Sequence, residues 1–193
     1  MSGNLVKRQH FVPRTYLKHF SESQGGEYYI NALAKEKTKK EDIFRPNITS
    51  IALEKHLYTM PGKTIEQKMA IEKFYAEELE AHYDSIYGLL TDDTKESITQ
   101  EERELIISTV VTMFYRTTIW INSSRDLMYR LFKQAYALCE QNGTDSFTLE
   151  GEKISIKGRE LNEHVKEFNK ARQPGMILTQ LEVAMKLIKL RLA

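Results

Sequence analysis

The sequence predicts an α+β fold, predominantly helical: a small N-terminal α/β element packed on a multi-helix bundle, with one later β-hairpin. Three observations carry that expectation. Apolar residues recur at helical spacing almost everywhere after Pro61-Gly62. Short aromatic-rich runs and loop-forming residues alternate through the first sixty positions. The stretch SFTLEGEKISI, residues 146–156, reads as two strands turning at Glu150-Gly151. With 193 residues, 41% of them hydrophobic, the chain is long enough to bury its own core. One domain over 1–193 is expected, with the α/β cap at 1–60 and the bundle at 61–193.

In KRQHFVPRTYLKHFSES, residues 7–23, Pro13 suits the first helical position, Val12 the N-cap, and Phe11 and Tyr16 a hydrophobic staple. Tyr16, Leu17 and Phe20 then share an apolar face, and Ser21 to Gly26 has loop composition. EYYINALAK, residues 27–35, reads as a strand, and Ile43 to Arg45 as a short extended piece. Asn47 to Ser50 supplies caps for a short helix over Ile51 to Lys55, after which His56 to Met60 is extended again. Thr64-x-x-Gln67 is a capping box opening a long helix whose apolar positions are Ile65, Met69, Ala76, Leu79, Tyr83, Ile86 and Leu90. Thr99-x-x-Glu102 opens a second, Gln100 to about Ile121, apolar on nearly all sides at its middle. Asn122-Ser-Ser-Arg-Asp126 predicts a kink or break before a third helix ending at Asn142-Gly143. Two last helices, Arg159 to Arg172 and Ile177 to Leu192, are expected on either side of Pro174-Gly175.

The composition and motifs exclude several chemistries. The single cysteine, Cys139, allows no intramolecular disulfide and no multi-cysteine zinc site. No P-loop, dinucleotide-binding or zincin motif is present. The most membrane-like run, residues 105–121, carries Arg116 at its centre, which costs about 2.5–3.5 kcal/mol in a bilayer. It reads as a buried helix, and no membrane partner is expected. The N-terminus is polar and basic to Val12, unlike a secretory leader, so a cytoplasmic protein is expected. The net charge of +1 conceals a basic first segment, ten Lys/Arg against six Asp/Glu in 1–60, and an acidic second, five against twelve in 61–104. Either the first meets a phosphate-bearing ligand or the two face each other in one fold.

Four residues stand out as candidates. His10 sits beside Lys7 and Arg8 and is left unexplained by helix initiation; it is the candidate catalytic residue. Arg14 follows Pro13. Arg116 lies in an apolar helix and requires a partner, either an acidic side chain (Glu72, Glu77, Glu80 or Asp84) or an anionic ligand. Arg125 joins it if the helix kinks. Arg14, Arg116 and Arg125 are the candidate ligand-binding set. His19 is read as a residue at a helix C-terminus, favoured there when protonated. A remote alternative, a metal-dependent nuclease, rests on His10-x-Val12-Pro13 with Asn47 and His56, whose eight-residue gap is similar to that of HNH endonucleases. Gln9 stands where those enzymes place a carboxylate or histidine.

Gln9-His10-x-Val12-Pro13-x-x-Tyr16-Leu17-x-x-Phe20 resembles the opening signature of a mainly bacterial family, domain of unknown function 4238. The strand at 27–36, Asn47 to Tyr58, Ile65-Glu66 and Phe114-Tyr115-Arg116-Thr117 resemble its later elements in order, over roughly 7–130. Relatives place a small or acidic residue where His56 stands. They also continue into a C-terminal β-rich segment with an S-D-x-P motif that is not found here. The resemblance implies no defined activity or cofactor and leaves open whether the protein is an enzyme. It associates the chain with mobile elements and phage defence. The leading expectation is an effector or accessory protein that binds nucleic acid or another phosphate-bearing ligand. The competing one is a non-catalytic helical interaction module or homo-oligomer with structural arginines.

Overall fold

The computed structural model describes residues 5–192. It is 59% helix and 12% strand, a predominantly helical α+β fold as expected. Its elements are β1 (Arg8–His10), α1 (Arg14–Lys18), β2 (Glu22–Gln24), β3 (Glu27–Tyr29), β4 (Leu53–Lys55), α2 (Ile65–Lys68), α3 (Ala70–Phe74), α4 (Tyr83–Thr91), α5 (Gln100–Arg116), α6 (Ile119–Asn142), β5 (Ser146–Leu149), β6 (Glu152–Ser155) and α7 (Leu161–Leu192). They form two compact units. The first holds the chain up to Thr117 and from Gln180 onward; the second is Thr118–Thr179. Among the described residues no helix is long and apolar enough to cross a membrane.

In the first unit the family-like opening motif is a strand before it is a helix. β1 pairs antiparallel with β4, Gln9 opposite Glu54 and His10 opposite Leu53. The sequence predicts neither strand, and it places a helix over Ile51 to Lys55. Three-residue strands are too short to show alternation, and tertiary pairing overrides the helical propensity of Leu53 to Lys55. Ala52 and His56, both at positive φ, bracket β4 and turn the chain in and out of it. The Ala52 carbonyl accepts from Phe11 N at 2.8 Å, and His56 N donates to Lys7 O at 2.8 Å. The helical turn falls earlier, at Ile48–Ser50, capped by Asn47 as its composition suggested.

α1 begins one residue later than expected, with Pro13 as N-cap in extended geometry and its carbonyl receiving Leu17 N at 3.0 Å. Leu17 is buried and Phe20 is exposed, so the expected apolar face narrows to Leu17, with the Phe20 ring tilted against that of Tyr16. Ser21 to Gly26 is not a plain loop. β2 and β3 form a hairpin whose turn, Gly25-Gly26, uses positive φ at both glycines.

The long helix expected from Ile65 to Leu90 is broken into three α-helices. Met69, with φ −101° and ψ 6°, separates α2 from α3; a π turn at Tyr75–Leu79 and a 3₁₀ turn at Glu80–His82 separate α3 from α4. The residue inserted by the π turn shifts the helical phase from Glu80 onward. Both capping boxes form, at Thr64/Gln67 and Thr99/Glu102. α5 stops at Arg116, because Thr117 is extended (ψ 155°) and returns its hydroxyl to Phe114 O. The break therefore precedes Asn122-Ser-Ser-Arg-Asp126, which is helical inside α6.

In the second unit α6, the β5–β6 hairpin and the first part of α7 pack around Phe132, whose ring meets those of Phe147, His164 and Phe168. The hairpin falls where expected, with Glu150 and Gly151 at positive φ. Pro174-Gly175 does not end a helix: α7 runs through both. A helix-interior proline costs about 3 kcal/mol, and burial of Val165 and Ile177 on the same helix works against that cost.

Gln9 is the polar residue on which the β1–β4 junction closes. It is 0% exposed, and its side-chain oxygen accepts from Tyr58 N at 2.6 Å. Gln9→Ala leaves that buried N–H unpaired, and the expected loss is about 1–3 kcal/mol. Chemical denaturation followed by circular dichroism measures it against exposed Gln24→Ala, expected within about 0.5 kcal/mol of the parent.

Candidate functional site

The first unit encloses a buried charge with a polar cavity beside it. Arg116, the last residue of α5, is 2% exposed. Its guanidinium pairs with Glu80 Oε1 at 2.6 Å and donates to the His10 carbonyl at 2.8 Å. It lies 4.4 Å from the Tyr75 ring centroid and 5.5 Å from that of Tyr58. The Tyr58 hydroxyl in turn donates to Arg116 O at 2.8 Å. Of the four acidic candidates, Glu80 is the partner, and the π turn immediately before it sets its direction. Such single π insertions are frequent at functional sites. Asp84 pairs instead with His19 at 2.9 Å, while His19 stacks on Tyr87.

Burial governs the ionisable groups around Arg116. It pushes the phenols of Tyr75 and Tyr83 up to about 12 and the Glu72 carboxyl up to about 7. For Glu72 the nearby guanidinium opposes that rise and Glu80 adds to it. With Glu80 already paired to Arg116, Glu72 holds its proton near neutrality. His10 moves the other way: burial, then the Arg14 charge, lowers its pKa and keeps the imidazole neutral. The ring hydrogen-bonds the Ile48 carbonyl, and Nε2 is buried with no partner. Nδ1 is therefore the donor, and Nε2 keeps its lone pair.

Beside this cluster is an open cavity of 370 Å³ lined by Arg14, Thr15, Lys18, Tyr28, Asn47 and Glu80, among others. Its carboxylates are occupied. Glu27 accepts from Tyr29 and Asn47, and Glu80 holds Arg116. Lys18 lies over the Tyr28 ring at 4.9 Å. Arg14 is exposed, and no carboxylate among the described residues is in ion-pair range of it.

The sequence-predicted residues thus separate. His10 and Arg116 meet through the His10 backbone, and Arg14 lies on the cavity wall. Arg125 belongs to α6 in the second unit, bonded to Asn122 at 3.2 Å and Gln173 at 2.9 Å. The Asn47 side chain caps its turn by accepting from Thr49 N, and its amide donates to Glu27. His56 Nδ1 lies 3.4 Å from the Thr59 hydroxyl. Among the described residues, no group of three or more His, Cys, Asp or Glu side chains is placed to hold a metal ion. Lys18 was not singled out in the sequence, and Gln9 was noted only as part of the opening motif, not as a buried hydrogen-bonding residue. Lys18 lies one helical turn after Arg14, a spacing that places both on one face.

Glu72 carries a testable consequence. Its native pKa exceeds that of an unfolded glutamate, so the folded protein keeps a proton that the unfolded chain has released between about pH 4.5 and 7. The contribution of Glu72 to stability therefore falls as pH rises through that window and is level above it. Glu72→Gln stays neutral throughout. It is expected to match the parent at pH 4 and exceed it at pH 8 by on the order of 1–2 kcal/mol, allowing for solvent screening. Urea denaturation at the two pH values measures the difference.

No curated protein and no solved structure matches this chain. A family model described as "Protein of unknown function (DUF4238)" matches residues 8–177. That span takes in the β1–β4 junction, Arg14 and its cavity, the π turn and Arg116, and the chain belongs to this family.

Proposed function

We propose that the first unit binds a small phosphate-bearing ligand in the cavity beside α1, with Arg14 and Lys18 as its anion contacts. The observation that carries this reading is the charge state of the wall. Both cavity carboxylates are engaged by other groups, whereas Arg14 has no counter-ion among the described residues. A guanidinium presents a planar fork that matches two phosphate oxygens, and the ammonium of Lys18 one turn away adds a second charge. A cavity of 370 Å³ suits a ligand of nucleotide size or a single nucleic-acid phosphate group with its base. In this reading Arg116 positions the site and does not touch the ligand. It fixes Glu80 in the cavity wall and β1 behind it. His10 is a neutral acceptor in the supporting layer; its catalytic role is no part of the reading.

A second reading, the non-catalytic interaction module, draws on the sealing of Arg116 by Glu80, Tyr58 and Tyr75, which makes that arginine part of the framework. The two readings diverge at Arg14. Isothermal titration at low salt with inorganic phosphate, nucleoside mono- and triphosphates and short oligonucleotides tests the first. Binding weakened about 10–100-fold by Arg14→Ala, with an unchanged melting temperature, is the expected result, as for the loss of one charge-assisted hydrogen-bond pair. No binding by any of these phosphates, or equal binding by Arg14→Glu, contradicts it.

A further inference from the structure

The second unit carries an apolar stripe that is about half exposed to solvent. α6 buries Ile121, Phe132 and Cys139 on one face. About 100° around the helix lie Trp120, Leu127, Leu131 and Leu138. They are 49%, 53%, 39% and 52% exposed. Their separations of seven, four and seven residues keep them on one line, the spacing of a coiled-coil seam. Within about 60° on either side of that line stand Ser123, Ser124, Gln134, Ala135, Gln141 and Asn142. No charged residue falls in that arc along the whole 24-residue helix.

The order of the stripe names its occupant. It is palindromic about Tyr129: Trp120 and Leu138 are equidistant from that level, and so are Leu127 and Leu131. A second α6 running antiparallel, related by a two-fold axis at that level, therefore sets Trp120 against Leu138 and Leu127 against Leu131. Each contact is made twice, which is the self-complementarity that an isologous interface requires. The first charges beyond the arc on one flank are Asp126 and Arg130, and the same axis brings Arg130 of one copy near the level of the partner copy's Asp126. The four half-exposed side chains and the uncharged residues flanking them form one continuous surface along the whole of α6.

We propose that the protein forms a homodimer by antiparallel pairing of α6 through the Trp120–Leu138 stripe. The full-length protein is expected to sediment as a dimer at tens of micromolar. Leu127→Glu with Leu131→Glu is expected to yield a monomer with unchanged far-UV circular dichroism, because both side chains are exposed in the single chain. Spin labels in a Cys139→Ser background report the register. Labels at Gln141→Cys are expected about 36 Å apart along the axis, and labels at Gln134→Cys about 15 Å apart. A monomeric parent overturns the proposal, as does a dimer that survives both glutamates. Equally short distances at the two labels mean parallel pairing and overturn it too.

Discussion

A guanidinium that is 2% exposed cannot stay in a protein interior without an anion and acceptors, and the first unit is arranged around meeting that demand. Arg116 takes its anion from Glu80 and a carbonyl from β1, and its apolar faces lie against Tyr58 and Tyr75. Those partners come from three separate stretches of chain. One cation therefore ties together the N-terminal strand, the turn after β4 and the interrupted helices before α5. The irregularities serve the same end. The π turn aims Glu80, positive φ at Ala52 and His56 admits β4, and α5 stops at the residue whose carbonyl receives the Tyr58 hydroxyl.

This arrangement explains why the motif at the start of the chain reads as it does. Gln9 closes onto Tyr58 N, the His10 backbone receives Arg116, Pro13 starts α1, and Leu17 docks it. Arg14, at the next position, projects from that framework onto the cavity wall. In the reading proposed above, a ligand contact held on a helix whose base is fixed by buried hydrogen bonds would need little reordering to meet an anion, and preorganisation of that kind favours affinity.

Features set by a few neighbouring residues were legible in the sequence, and those set by pairing or packing between distant segments were not. Both capping boxes, the hairpin at Glu150-Gly151 and the buried character of Arg116 follow from local chemistry, and all are present. β1 and β4 are three residues each and exist because they pair with one another, a relation that no window of sequence contains. The interruptions between Ile65 and Leu90 leave the apolar pattern nearly intact, since the π turn displaces the phase by a single residue. Pro174 misled in the opposite direction, because local propensity was outweighed by burial at Val165 and Ile177. At the site, the need of Arg116 for a carboxylate was readable, and Glu80 was among the four candidates. That His10 would contribute its carbonyl depends on the β1–β4 register and could not be read from the sequence.

A double-mutant cycle on Arg116 and Glu80 tests the organising role of this pair most directly. Arg116→Met, Glu80→Gln and the double variant are compared by chemical denaturation at pH 7. Each single change is expected to cost about 3 kcal/mol, and the double variant clearly less than their sum, with a coupling energy above about 1 kcal/mol. Single changes within about 0.5 kcal/mol of the parent, adding without coupling, would contradict the account and return Arg116 to the list of ligand contacts.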